Sequence, residues 1–394
     1  MSDLIVPTDE AGVEAAVHDA MSSKTPIEIR GAGSRSGLGR PIQAARTLTT
    51  QNLTGVTLLE PAELVASAKV GTPVAEFEAA LAAAGQRLAF EPFDHRALYG
   101  STAEPTVGGM VATNASGPRR VIAGAARDAL IGVRLVTGRG EAIRSGGRVM
   151  KNVTGYDLVK LACGSHGTLG VLTEVTFKTL PIPETELSLV FEGLDDARAI
   201  EALSAAMGSP FEPTGAAHLP AGDGAPARTV VRLENFASQL RYRSGELDRL
   251  LKPYGAAGRL DAEASRALWS TIRGSAPLLG PRERPVWRVS IAPSRAAALV
   301  ARLGPLVAAH FYDWSGGLIW IATEPSADAG AAILRPAVRE LRGHATLVRA
   351  SDAVRAAVSV FEPEVPALAR LTRAVTEAFD PEAILNPGRM HVRH

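Results

Sequence analysis

Ile27 and Ile29 read as a short strand that runs directly into Gly31-Ala32-Gly33-Ser34-Arg35-Ser36-Gly37. Closely spaced glycines let successive backbone N–H groups turn toward one anion with no Cβ in the way. A strand that ends in such a loop therefore predicts a pyrophosphate cradle, to which Arg30, Ser34, Arg35 and Ser36 can add donors. The pattern is not a Rossmann loop. That loop needs G-x-G-x-x-G opening a helix, whereas here the third glycine is Gly37 and Leu38-Gly39-Arg40-Pro41 cannot continue one. Taken alone, the loop is explained equally well as an ordinary glycine turn.

A second stretch shifts the balance toward a ligand. Thr106-Val107-Gly108-Gly109-Met110-Val111-Ala112-Thr113-Asn114-Ala115-Ser116-Gly117 again joins glycines to small polar donors. A third region follows, in which Lys151-Asn152-Val153-Thr154-Gly155-Tyr156-Asp157 precedes Gly164-Ser165-His166-Gly167-Thr168-Leu169-Gly170-Val171. Small residues there allow backbone to pass close to a flat ring system. Tyr156 and Asp157 either fix that loop beside a ligand or merely stabilise a turn.

Around these loops the spacing of apolar residues predicts a helix from Thr8, as N-cap, to about Met21. Strands are expected over Val56–Glu60, Val65–Val70 and Leu88–Phe90. A helix starting at Thr72-Pro73 carries Val74, Phe77 and Leu81 on one face and is closed by Gly85. Ile131–Val136 and Leu169–Phe177 read as buried strands separated by a Thr137-Gly138-Arg139-Gly140 turn. Helices and strands mix without strict βαβ alternation. Leu180-Pro181-Ile182-Pro183 marks a boundary, because two prolines break any element. Beyond it, strands at Leu187–Phe191, Thr229–Leu233 and Val286–Ile291, a helix from Asp195 and a hairpin across Ser315-Gly316-Gly317 predict an α+β module on an antiparallel sheet, closing near Ala345–Arg349. The tail offers a helix with Leu368, Leu371, Val375 and Phe379 on one face, ended by Asp380-Pro381. The expected organisation is 1–183, 184–350 and 351–394, the last returning to the first.

Charge and cysteine content narrow the class. Lys and Arg number 42 against 41 Asp and Glu and are scattered, which argues against a nucleic-acid surface. Pro118-Arg119-Arg120 reads either as a step that favours an anion or as solvated arginines. The single Cys163 excludes an internal disulfide and a cysteine-ligated cluster, so any iron-sulfur centre belongs to another chain. No apolar run reaches the roughly 18 residues of a transmembrane segment, and Ser2-Asp3-Leu4 opens no signal peptide. The expectation is a cytoplasmic protein, peripheral to a membrane only through partners. Metal ligands are not expected: the close pair His391 and His394 sits at the chain end.

The order of motifs, from the first glycine loop through Gly108-Gly109 and Gly167-Thr168-Leu169-Gly170 to Asn386-Pro387-Gly388, resembles the FAD-binding family of vanillyl-alcohol oxidase and p-cresol methylhydroxylase. Within it, Lys151-Asn152-x-x-Gly155-Tyr156-Asp157 and Asn386-Pro387-Gly388-Arg389-Met390 look most like the family of glycolate oxidase FAD-binding subunits. Leu268-Trp269, Trp287-Arg288-Val289-Ser290, Asp313-Trp314-Ser315-Gly316-Gly317 and Gly343-His344-Ala345-Thr346 extend the likeness across the second unit. The resemblance implies an α+β, two-subdomain FAD-binding fold of the p-cresol methylhydroxylase type with an antiparallel-sheet cap. It implies FAD with its pyrophosphate at Arg30, Gly31, Ala32, Gly33, Ser34, Arg35 and Ser36, and with its ring and phosphates along Thr106, Val107, Gly108, Gly109, Thr113, Asn114, Ser116 and Gly117. Gly167, Thr168, Gly170 and Val171 would meet the cofactor, and Asn386 would return beside it. Covalent members often attach the ring through a histidine close after the first loop; Leu38 and Gly39 stand there, so noncovalent FAD is implied.

Oxidation of a 2-hydroxy acid needs a carboxylate clamp and a base. The larger relatives' histidine-rich motif is absent, and the eight histidines are dispersed. Arg288 is a candidate clamp or a structural ion pair, and His344 a candidate base or a packed histidine. His166 is open between a role near the cofactor and none. Trp269, Trp287, Trp314 and Trp320 either shield a flavin, meet a partner or fill a core. Three readings follow. The first is an FAD-binding subunit of a glycolate oxidase or dehydrogenase complex that oxidises glycolate to glyoxylate. Its resemblance-implied partners are a larger FAD-containing catalytic subunit and an iron-sulfur subunit, and its own flavin relays electrons or supports assembly. The second is a self-sufficient 2-hydroxy-acid dehydrogenase using Arg288 and His344. The third is a nonenzymatic flavin-binding subunit.

Overall fold

The computed structural model describes residues 3–147, 155–222 and 224–391. The motif residues Lys151 and Asn152, and His394, lie outside them. The chain begins with a right-sized βαβ unit. Strands Asp3–Ile5 and Ile27–Arg30 both run parallel to Arg46–Thr49, which lies between them. Helix Glu10–Ser23 makes the crossover and buries Val13, Val17 and Ala20. Its N-cap is Asp9 rather than Thr8. The Asp9 carboxylate accepts from the Gly12 N–H at 2.8 Å, a stronger acceptor one residue nearer the helix than the threonine hydroxyl.

A second sheet carries the order Val56–Glu60, Val65–Lys69, Val171–Pro181, Leu130–Val136, Ala142–Gly146, all antiparallel, with Gln86–Leu88 pairing separately on Val171–Pro181. The two strands expected around the Thr137–Gly140 turn are ladder neighbours of each other. The turn itself leads into a further strand, Ala142–Gly146, whose partly exposed, polar sequence carries no apolar alternation. The strand expected over Leu88–Phe90 sits slightly earlier, and Phe90 instead enters the core, 6.0 Å from the Phe177 ring. Helix Val74–Ala83 covers this sheet with Val74, Phe77 and Leu81.

The remaining strands form one eight-stranded antiparallel sheet: Gly258–Leu260, Thr185–Glu192, Arg228–Asn235, Gly215–Leu219, Val307–Asp313, Leu318–Thr323, Val286–Ser290, His344–Arg349. Side chains alternate between its faces. Trp287, Val289, Ile319 and Ile321 pack with helices such as Asp196–Met207 and Ala331–Glu340 on one side. Val286, Leu318 and Trp320 face the other, where they meet helix Ala262–Arg273 together with Leu38, Phe93 and Leu98 from the first part of the chain. Phe93 stacks on Trp320 at 4.7 Å.

A buried charge cluster ties that face to the glycine-bearing loops. Arg232, 1% exposed, donates to both oxygens of Glu91 at 3.0 and 2.8 Å, and Arg119 donates to Glu234 at 2.7 Å. Arg87 also pairs with Glu234. Burial pushes the Glu91 carboxyl up, but the Arg232 and Arg119 guanidiniums outweigh it and hold it at about 2. Arg119 is therefore an ion-pair partner, not a solvated arginine. The tail helix Pro366–Phe379 forms as the spacing predicts, yet its apolar face stays outside the core: Leu368 is 47% and Leu371 61% exposed. The chain then returns to the first sheet, where the Ile27 N–H donates to the Ile384 carbonyl at 2.8 Å.

Candidate functional site

The first glycine loop, the start of helix Val107–Ala112, the 166–170 turn and the returning tail line one cleft. Arg30, Gly31, Ala32, Gly33, Ser34, Arg35, Ser36, Thr106, Gly108, Gly109, Thr113, Gly167, Gly170 and Asn386 all line it, although they come from four distant stretches of sequence. The other expected positions lie outside its lining. Val107 and Val171 bury their side chains in the core. Asn114 accepts from the Arg127 N–H, Ser116 accepts from Arg120, and Thr168 donates to the Ser165 carbonyl while lining an adjoining cavity. Gly117 packs on Glu91, whose carbonyl oxygen would lie 2.2 Å from any Cβ there.

The glycines serve two different ends. At Gly31 a Cβ would stand 2.3 Å from the Thr106 hydroxyl, so this glycine lets the first loop touch the second. At Gly108 a Cβ would strike the Val70 side chain at 2.7 Å. That residue is small because of packing behind it, not because phosphate space lies in front. Gly33 is different. Its φ of 91° is in the left-handed region and a Cβ would meet only the Ser36 hydroxyl, at 3.4 Å, so the space beside this cleft-lining residue is otherwise open.

Arg35 supplies the cleft's electrostatic signature. Its Nε donates to His95 Nδ1 at 3.3 Å and its Nη2 to the Phe93 carbonyl at 3.2 Å, but its Nη1 is buried with no hydrogen-bond partner. Burial brings this guanidinium down to about 10 despite the nearby Asp94. A sealed, unpaired N–H of a cation is costly, and an anionic group in the cleft would satisfy it. The two neighbouring histidines are uncharged at neutral pH. Burial, then Arg35 and Arg288, hold His95 well below its usual value, and burial with Arg389 and His391 brings His166 to about 4.

Asn386 is the keystone of the cleft floor. Its Oδ1 accepts from the Ile29 N–H at 2.7 Å and its Nδ2 donates to the His166 carbonyl at 2.7 Å, while a Cβ on Gly167 would sit 2.6 Å from that nitrogen. Its side chain thus joins strand, turn and tail. Arg389, which sequence reasoning left without a role, donates to the Leu38 and Arg40 carbonyls at 3.4 and 3.3 Å and pairs with Glu28 at 2.9 Å, fixing the outer edge of the first loop. Ile29, Thr50, Val70 and Leu172 complete the lining as apolar or small residues that no local motif singles out. Asp157 caps helix Leu158–Ala162, whereas Tyr156 is 89% exposed.

Arg288 and His344 occupy adjoining strands, with Ser290 opposite His344 and Thr346 opposite Arg288. Neither lines the glycine cleft, but Arg288 faces the same side as Trp320 and lies close enough to depress His95. His344 is exposed and is lowered by partial burial, then by Arg288. Of the tryptophans, Trp269, Trp287 and Trp320 are core residues, while Trp314 is half-buried between the sheet and the second glycine stretch. Among the described residues no group of histidine, cysteine and carboxylate side chains can hold a metal.

Residues 2–146 match the FAD binding domain family. Over 375 residues the chain is 36% identical to glycolate oxidase subunit GlcE of Escherichia coli strain K12, covering 95% of both chains. The chain belongs to the GlcE family of FAD-binding oxidoreductases. A 197-residue stretch, 49% of this chain and 40% of the relative, is 30% identical to glycolate oxidase subunit GlcD of Bacillus subtilis strain 168. Among solved structures, substrate-bound p-cresol methylhydroxylase superposes with a TM-score of 0.73 at 14% identity, covering 98% of this chain and 88% of that one. An alkyldihydroxyacetonephosphate synthase gives 0.71 at 17%, covering 98% and 76%. The fold is thus the α+β architecture shared by those enzymes, and the cofactor of this family member is FAD. The cleft's residues suit that group: close-approach glycines, a Gly33 with open space beside it and an unsatisfied arginine donor.

Proposed function

We propose that this chain is the FAD-binding subunit of a glycolate-oxidising complex that converts glycolate to glyoxylate. The observation that carries the reading is the convergence of three glycine stretches on one cleft with an unpaired Arg35 donor, in a chain alike over 95% of its length to a glycolate oxidase subunit. Bound FAD supplies a two-electron acceptor for the C–H bond beside the substrate hydroxyl. The backbone of Gly31–Ser36 and the Arg35 guanidinium hold its pyrophosphate, noncovalently, and Gly167, Gly170 and Asn386 shape the wall against which it lies. Residues 1–183 carry the cofactor, 184–350 form a cap over it, and 351–394 return to close the floor.

Arg288 and His344 form the substrate side of this reading. Arg288 holds a carboxylate, and His344, kept neutral by partial burial and by its cationic neighbours, accepts the hydroxyl proton. The partners are a larger FAD-containing subunit and an iron-sulfur subunit. No helix among the described residues is long and apolar enough to cross a membrane, and a cytoplasmic complex, peripheral to the membrane through those partners, is consistent with that. The test is mild copurification with flavin and iron counting, followed by anaerobic addition of glycolate. The reading expects a complex whose flavin absorbance bleaches. A colourless chain after FAD is supplied, or a flavin that glycolate leaves oxidised in the assembled complex, would overturn it.

A further inference from the structure

The corner joining strands Val307–Asp313 and Leu318–Thr323 is built against local preference. Trp314 and Ser315 both adopt left-handed backbone, with φ of 53° and 59°. Side chains with a Cβ occupy that region rarely and at a cost, and such strain persists only where surrounding contacts impose it. Here they do. The buried Asp313 carboxylate accepts from the Trp314 N–H at 2.8 Å, and the indole Nε1 donates to the Gly117 carbonyl at 3.0 Å. One aromatic ring is thereby pinned between the eight-stranded sheet and the end of the second glycine stretch.

Two guanidiniums lie over that ring. Arg120 stands 4.9 Å from its centroid and Arg288 stands 5.2 Å from it. The Arg120 guanidinium donates only to the Ser116 hydroxyl at 3.1 Å, and the Arg288 guanidinium makes no hydrogen bond or ion pair among the described residues. The contrast within the molecule is sharp. Arg119, Arg232, Arg335, Arg355 and Arg389 are each matched to a carboxylate, and Arg349 spends its donors on the Arg284, Leu98, Leu279 and Pro281 carbonyls. Two arginines from different parts of the chain thus approach one indole with no carboxylate in contact with either guanidinium among the described residues; Asp313 and Asp128 act on them only through space. Burial, and then Arg120, lowers Arg288 to about 10 although Asp313 pulls the other way.

We infer that Arg120 and Arg288 together receive the carboxylate of a small organic acid, with Trp314 as the positioning residue that sets their approach. Guanidinium forks match the planar geometry of a carboxylate, and cation–π contact orients them without neutralising their charge. The pyrophosphate already has its cradle at the first glycine loop, so this second cationic site is left for the acid. That the acid is the one oxidised rests on the reading above; that a carboxylate binds here does not.

The test is calorimetric titration of the full-length, FAD-loaded protein with oxalate, which has no C–H bond to oxidise. Wild-type protein binds it. Arg120→Gln and Arg288→Gln each weaken binding at least tenfold with flavin content unchanged, Arg288→Lys retains part of the affinity, and Trp314→Phe, which keeps a ring but loses the bond to Gly117, falls between. The inference is overturned if wild-type protein binds no oxalate, if both glutamine variants bind as tightly as wild type, or if oxalate binds only after the flavin is stripped. Bleaching by glycolate is read separately. Oxalate binding without bleaching sinks the oxidation reading and leaves the receptor standing, whereas bleaching without oxalate binding does the reverse.

Discussion

Replacing Arg232 by Met removes the centre of the buried charge cluster while keeping a stem that can still lie against Trp269, where the guanidinium now sits 4.5 Å from the ring centroid. The lost bonds are the pair to Glu91 at 3.0 and 2.8 Å and one to the Thr214 carbonyl at 3.3 Å, made by a residue only 1% exposed. Breaking a buried pair on one side costs about 3–5 kcal/mol, because the remaining charge is left without its counterion. Arg119 stays 3.4 Å from Glu91, which favours the lower end. For 394 residues unfolding as a unit the entropy near the midpoint is about 0.8 kcal/mol/K, so about 3 kcal/mol lowers Tm by about 4 °C.

The pH dependence carries its own sign. Glu91 is depressed from 4.5 to about 2 in the folded chain, so its contribution is complete above the unfolded value and is lost as pH falls through that window. The deficit of the variant is therefore largest at neutral pH and narrows below pH of about 4.5. Differential scanning calorimetry at pH 7 and pH 3.5 measures both. A Tm drop under about 1 °C at pH 7, or an equal deficit at both pH values, would refute the idea that this cluster fastens the eight-stranded sheet to the glycine-bearing loops.

Arg35→Met should leave Tm within about 1 °C of wild type, since the lost bonds are those to His95 and Phe93, yet weaken FAD binding about tenfold or more by removing a charge-assisted donor; fluorescence titration with FAD reads this. The histidines His95 and His166 are neutral in the folded chain, with His166 at about 4. The unfolded chain thus takes up more protons below pH of about 6.5, and stability falls with falling pH by up to about 1.4 kcal/mol per unit for each. His166→Asn, which tolerates the φ of 52°, should flatten the slope of Tm against pH between 6.5 and 4.5.

Most of the cleft was legible because its constraint is local. A glycine needed for left-handed backbone or close approach, as at Gly33 and Gly31, announces itself in the residue type. Local reasoning still misassigned cause at Gly108, where the neighbour is Val70, because nothing in the sequence says which side of a loop is crowded. The charge cluster was hidden for the same reason. Glu91 and Arg232 meet across 141 positions, and each looks alone like an ordinary surface charge. Arg120, Arg288 and Trp314 converge only once the eight-stranded sheet is laid against the second glycine stretch. Strand Ala142–Gly146 escaped because pairing, not apolar alternation, makes it a strand.

The central claim is that the first glycine loop holds the pyrophosphate of FAD, and Gly33 is the position that tests it. A Cβ there meets only Ser36, so an aspartate costs the strain of left-handed backbone, on the order of 1 kcal/mol, and adds a negative charge to the loop that lines the cleft. Gly108 is less informative, since any side chain there collides with Val70 whether or not flavin is present. Equilibrium titration of flavin-free Gly33→Asp protein with FAD, beside wild type and with circular dichroism confirming the fold, is the decisive measurement. The account predicts at least a hundredfold rise in Kd with the fold retained; a folded variant that binds FAD as tightly as wild type would contradict it.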